Sequence, residues 1–137
     1  MKIPIYQVDA FSAKTFGGNP AAVCPLRDWL DVPLMQAIAA ENNLSETAFI
    51  VGGDGSYGIR WFTPVAEIDL CGHATLGSAF VVFEYLEPGR VEVSFASPSG
   101  PLRVAERLEL LVLDFPSRPP SPVETPPGLL PALGVSD

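Results

Sequence analysis

Histidine occurs once in this chain, at His73, and cysteine twice, at Cys24 and Cys71. One histidine and two distant cysteines form neither a C-x-x-C nor an H-x-x-x-H pair, so no metal centre is expected. Two cysteines are also too few for a disulfide framework, and reduced thiols in a cytoplasmic protein are expected. Basic residues are scarce: 8 Lys and Arg stand against 16 Asp and Glu, a formal charge of −8. The eight are scattered and form no run, which excludes the patch a nucleic-acid partner needs to neutralise phosphates. Long apolar runs are missing too. The longest stretch, Ala79 to Leu86, is far short of the roughly 20 residues that cross a bilayer. No apolar leader with a small-residue cleavage site opens the sequence, so no signal peptide is expected.

What remains is a globular composition, 47% hydrophobic and 18% charged over 137 residues. A chain of this length forms one domain and buries roughly two-thirds of its unfolded surface. Ile3 to Val8 reads as a strand, followed by a strong turn signal at Gly17-Gly18-Asn19-Pro20 and a short apolar strand, Ala21 to Cys24. Asp31 reads as a helix N-cap with Pro33 in the first turn. Leu34, Ile38 and Ala39 then share a helix face that ends at Asn42-Asn43. Thr47 to Val51 and Tyr57 to Phe62 flank Gly52-Gly53-Asp54-Gly55 as a hairpin, and Val65 to Leu70 predicts a short strand.

Gly72 to Leu86 is apolar around its whole circumference. A helix of that kind must be buried on all sides, and in a small chain a curved sheet has to wrap it. The alternation of Val91, Val93 and Phe95, the turn at Pro98 to Pro101, the return through Leu102 to Ala105, and Leu108 to Phe115 supply strands for that wrapping. From residue 115 onward the chain holds 7 of its 15 prolines and one short helical turn, Leu129 to Leu133. The expected division is a domain over 1–117 and a proline-rich linker tail over 118–137.

Two side chains stand out chemically. Glu46 lies between a helix end and an apolar strand, and a carboxyl among apolar neighbours holds its proton more readily, which suits general acid/base work. Its bland reading is a solvated acid at a strand entrance. His73 opens the buried helix, where free N–H groups meet anions, and it could shuttle a proton or donate to a carboxylate; its bland reading is a structural cap. Gly72 and Gly77 have G-x-x-x-x-G spacing, but Ser78 stands where a phosphate loop needs lysine, so nucleotide binding is rejected. Cys71 invites a thiol-nucleophile reading, but two-residue spacing from His73 does not ensure reach, and packing is the expected role.

Several segments together resemble one family. Val8-Asp9-Ala10-Phe11 with Phe16-Gly17-Gly18-Asn19-Pro20-Ala21-Ala22-Val23, then Asn43-Leu44-Ser45-Glu46-Thr47-Ala48-Phe49, resemble the opening and the acidic motif of the PhzF-like isomerases of phenazine biosynthesis. Arg60-Trp61-Phe62-Thr63-Pro64, Glu67-Ile68-Asp69-Leu70-Cys71-Gly72-His73-Ala74-Thr75 and Asp114-Phe115-Pro116 resemble further motifs of the same family in the same order. The resemblance implies an α+β, diaminopimelate-epimerase-like half: a mixed, mostly antiparallel sheet wrapped around a buried central helix. It implies an isomerase that needs no metal or organic cofactor and moves a proton on a small carboxylated substrate. By it, Glu46 matches the proton-transferring residue and His73 its assistant, while Asn19, Gly72, Ala74 and Thr75 match groups lining the substrate cleft. It covers half of the family's length. The second half, with its facing helix start and a strand that returns to complete the first half's sheet, has no counterpart here. The alternatives are an inactive half-domain serving as a fragment or interaction module, and a Cys71-dependent racemase or hydrolase. A half with an unfilled sheet edge is expected to form a homodimer.

Overall fold

The computed structural model describes residues 2–135. Strands β1 (Tyr6–Ala10), β2 (Asn19–Leu26), β3 (Glu46–Gly53), β4 (Ser56–Phe62), β5 (Glu67–Ile68), β6 (Glu92–Ser97), β7 (Gly100–Arg107) and β8 (Leu110–Asp114) form one sheet. Its order is β1-β2-β3-β4-β6-β7-β8, with the two-residue β5 beside β4. Helix α1 (Val32–Asn42) crosses between the parallel pair β2 and β3. Helix α2 (Gly72–Val81) crosses between the parallel pair β4 and β6, and all other pairings are antiparallel. The α+β fold and its mixed, curled sheet are those implied by the family resemblance. Among the described residues, no helix is long and apolar enough to cross a membrane.

Alternation explains which residues form the core. Successive strand side chains point to opposite faces. Ala21 and Val23 of β2, Ala48 and Ile50 of β3, Ile59 and Trp61 of β4, Val93 and Phe95 of β6, and Leu102 and Val104 of β7 all turn inward onto α2. Their neighbours Cys24, Phe49 and Phe62 turn outward, where α1 covers them with Met35 and Ala39. Burying one such large side chain contributes about 1.5–3 kcal/mol. The covering face of α1 keeps the expected Ala39 and Ile38, but fully buried Met35 replaces Leu34, which is 41% exposed. Asn43, in the left-handed region at φ 50°, ends α1 by sending its N–H to the Ala39 carbonyl.

Helix α2 can sit inside the sheet because its turns are small. Ala74 and Ala79 are fully buried, and Gly77 faces Val8 and Val23. Its two buried hydroxyls are satisfied locally, Thr75 donating to the Cys71 carbonyl and Ser78 to the Ala74 carbonyl. A π-helical segment, Val82–Leu86, continues it and closes with Glu87 N–H on the Val82 carbonyl. The Glu87 carboxylate then accepts hydrogen bonds from Tyr57 (2.6 Å), the Gly55 N–H and Arg90. Burial alone would raise that carboxyl, but those donors hold it below its ordinary value.

The expectation that this helix is buried on every side needs correction. Phe83 is buried, but Phe80 is 39% exposed and Tyr85 58% exposed. The sheet curls without closing: β1 and β8 are its two edges, and between them a groove of about 760 Å³ runs over Leu76, Gly77 and Phe80. Other expected elements lie where anticipated with shifted ends. The first strand starts at Tyr6 rather than Ile3, and only Glu67–Ile68 of the Val65 to Leu70 segment pairs. Residues 115–126 take up neither helix nor strand, and the anticipated short helix α3 is Leu129–Leu133.

Two substitutions test this packing. A Cβ on Gly18 would run into the Ala10 carbonyl, where β1 meets β2, whereas one on Gly53 meets nothing within 4 Å. Gly18→Ala should cost about 1–3 kcal/mol in urea unfolding and Gly53→Ala much less; equal midpoints for the two variants would contradict the β1–β2 contact. Cys24 is completely buried, and burial pushes its thiol up to about 12. Its unfolded counterpart ionises near 9, so the contribution is whole below that pH and is lost as pH rises toward 12, by about 1.4 kcal/mol per unit. Between pH 8 and 10, urea unfolding should show the parent losing about 1 kcal/mol more stability than Cys24→Ala.

Candidate active site

Three chain segments meet at one end of α2. The parallel register of β2 with β3 sets Ala21 beside Glu46, so the start of β2 (Asn19, Pro20) lies next to Ser45 and Glu46. The start of α2 brings His73 to the same place. Cys71 is its N-cap, extended at φ −145° and ψ 121°, and His73 sits in the first turn.

The resulting contacts are short and specific. Glu46 Oε2 lies 3.1 Å from His73 Nε2, with the two side chains 17% and 9% exposed. That carboxylate oxygen is buried and makes no hydrogen bond, so its meeting with the ring is an unaligned contact. His73 Nε2 instead hydrogen-bonds to Ser45 Oγ at 3.3 Å. Ser45 Oγ also lies 3.0 Å from the Pro20 carbonyl and 3.2 Å from Asn19 Oδ1. On the other side of the ring, Cys71 Sγ is 3.4 Å from Nδ1. Burial pushes that thiol up to about 11, with the N–H groups of Ala74 and His73 pulling against the rise and the Glu46 charge adding to it.

The six residues singled out from sequence fall into two groups. Glu46, His73 and Asn19 converge, with Asn19 exposed beside the Ser45 hydroxyl. Gly72 is half-buried with the Phe115 ring against it, where a Cβ would stand 3.0 Å from that ring. Ala74 and Thr75 are fully buried, and the Thr75 hydroxyl is taken by the Cys71 carbonyl, so their side chains are turned into the fold. Backbone N–H groups of this helix start are what they could offer a ligand.

The sequence reading has no role for Ser45, and for Cys71 it has packing, with a thiol nucleophile as the alternative. Ser45 was visible as the neighbour of Glu46, but its part depends on the β2–β3 register and on where α2 begins. Glu46, Cys71 and His73 also bring a carboxylate, a thiol and an imidazole atom within 4.8 Å of one another, which raises the question of a metal. The thiol and the carboxylate approach different ring nitrogens, whose in-plane directions diverge, and the thiol holds its proton. That arrangement relays hydrogen bonds through the ring better than it encloses an ion.

Chemically, the cluster offers one carboxylate free to accept a proton, one imidazole beside it, and a helix N-terminus that favours negative charge. Exposed Asn19 and Ser45 leave the cluster open on one side.

Comparison with known proteins agrees with this frame. Residues 8–125 match the family described as phenazine biosynthesis-like protein. An uncharacterized isomerase of Pseudomonas aeruginosa is 55% identical over 137 residues, covering all of this chain and 53% of that protein. A human phenazine biosynthesis-like domain-containing protein is 46% identical over 130 residues, covering 89% of this chain and 45% of its own length. Among solved structures, a PhzF-family protein of Enterococcus faecalis superposes with a TM-score of 0.88 at 52% identity, covering 98% of this chain and 52% of that one. The chain thus spans about half the length of the relatives it matches. With motifs, fold and relatives in agreement, the chain belongs to the phenazine biosynthesis-like (PhzF) family.

Proposed function

We propose that this chain supplies one wall of a cofactor-independent isomerase site in which Glu46 moves a proton on a small carboxylated substrate. The observation that carries this reading is the buried Glu46 oxygen, unbonded and 3.1 Å from His73 Nε2. An oxygen that no donor occupies has its lone pairs free to receive a proton. It would take a proton from carbon, the C–H electron pair passing into the neighbouring carbonyl or carboxyl group as an enolate. Returning the proton to another carbon, or to the other face of the same one, completes an isomerisation with no net redox change. His73 and the N–H groups at the start of α2 would stabilise the negative charge as it develops.

The Cys71-dependent reading is weaker, because a buried thiol pushed up to about 11 is a poor nucleophile near neutral pH. The homodimer reading draws on a separate observation. Phe80, Phe11 and Leu110 stand exposed around the groove between β1 and β8, and both flanking strands are unpaired edges. A strand from a second copy, or from the remainder of a longer chain, would fill it.

Two measurements test these proposals. Glu46→Gln keeps the size of the side chain and removes the base. Solvent deuterium incorporation into small carboxylated compounds, followed by NMR, should fall on the order of 10²-fold or more, and an undiminished rate would remove Glu46 from the mechanism. Light scattering of the 137-residue chain should give twice 14.6 kDa, and a monomer at high concentration would overturn the homodimer.

A further inference from the structure

We propose that Cys71 is a positioning residue for this site: its S–H donates to His73 Nδ1 and so holds the imidazole in the tautomer whose hydrogen is on Nε2, next to Glu46.

The argument starts from Ser45 and counts protons. Its hydroxyl has one to give, and two oxygen acceptors lie within reach, the Pro20 carbonyl at 3.0 Å and Asn19 Oδ1 at 3.2 Å. A carbonyl oxygen cannot donate, so at 3.0 Å from Pro20 the hydroxyl must be the donor. None is then left for His73. The 3.3 Å contact between Ser45 Oγ and Nε2 is a hydrogen bond only if Nε2 carries the hydrogen. In a neutral ring Nδ1 is then a bare acceptor, and it needs a donor because it is buried with the rest of His73. The atom facing it is Cys71 Sγ at 3.4 Å. That thiol is buried and keeps its proton well above neutral pH. The chain Cys71 to His73 to Ser45 to Pro20 therefore runs in one direction with every donor matched to an acceptor.

The consequence for chemistry rests on the reading of Glu46 given above. The Nε2–H that donates to the exposed Ser45 hydroxyl is a neutral donor beside the carboxylate, which a substrate enolate oxygen would take over from Ser45 on binding. The opposite tautomer would present a lone pair there, repelling both the enolate and Glu46.

His73 is the sole histidine of the chain, so histidine-selective 15N labelling of untagged protein gives a two-bond proton–nitrogen spectrum of one imidazole. The parent should show a bare Nδ1 and a protonated Nε2. Cys71→Ser keeps a donor and should keep that pattern. Cys71→Ala removes it, and the Nδ1-protonated form should appear as a measurable fraction. A parent spectrum with Nδ1 protonated, or a Cys71→Ala spectrum unchanged from the parent, would overturn the proposal. If the alanine variant does not fold, the parent and serine spectra still decide it. Where the parent exchanges deuterium into a carboxylated compound, Cys71→Ala should lower that rate about tenfold and Cys71→Ser should restore most of it, as for residues that orient a working histidine. A parent that exchanges nothing but shows the Nε2–H pattern would count against the isomerase reading and leave the positioning contact standing.

Discussion

Everything in this fold depends on keeping one short, apolar helix out of water. Helix α2 and its π-helical continuation carry Ala74, Ala79, Val81 and Val82 in directions that no flat sheet could cover at once. Strands β2, β3, β4, β6 and β7 therefore bend around it, each contributing inward-facing residues at alternate positions. The small residues let the strands approach closely, and a larger side chain at Gly77 would press on Val8 and Val23. The position of the helix is thus fixed along its length, and so is the position of its first turn.

Fixing that first turn is what makes a site. The N-terminus of α2 comes up at the same end of the sheet as the starts of β2 and β3, because those two strands are parallel and begin in register. Three chain starts converge there, each with backbone groups not yet committed to a ladder or a helix. Glu46 and His73 are each followed directly by fully buried residues, Thr47 to Ile50 in β3 and Ala74 and Thr75 in α2. A pair built this way keeps its geometry without relying on the mobility of loops. The one orientation that packing cannot decide is which ring nitrogen of His73 carries the hydrogen, and there the contacts of Ser45 and Cys71 take over.

Much of this was legible in the sequence, for a reason that also marks its limit. Period-two alternation reports strands directly: of Val91, Val93 and Phe95, expected on one face, Val93 and Phe95 are buried in β6, while Val91 lies before the strand and is 61% exposed. The apolar circumference of Gly72 to Leu86 reported a central helix. It could not report that Phe80 would face a groove, because closure of the sheet is a matter of β1 meeting β8 at opposite ends of the chain. On α1 the expectation fails at Leu34 alone, for a related reason. Val32, Leu34, Met35, Ile38 and Ala39 are apolar in several directions, and only contact with Cys24, Phe49 and Phe62 selects Met35 and Ala39. Glu46 and His73 stood out through motif resemblance. Ser45 did not, since its role arises from a meeting of residues 26 and 28 positions apart.

Buried polar atoms without partners are costly, about 1–3 kcal/mol each, and among the described residues two side chains carry one: Glu46 Oε2 and Trp61 Nε1. Trp61 is wholly buried in the middle of β4, against α2, and the structure gives no reason for its unpaired N–H. An orphaned atom is therefore not in itself a mark of function. What separates Glu46 is its setting. It stands at a strand start beside exposed Asn19 and Ser45, where an incoming group could complete its bonding, and its nearest neighbour is an imidazole whose own hydrogen bonds point elsewhere. An oxygen left without a donor at the open end of the fold keeps its lone pairs within reach of an incoming group. In the closed middle of a strand the same shortage is only a loss of stability.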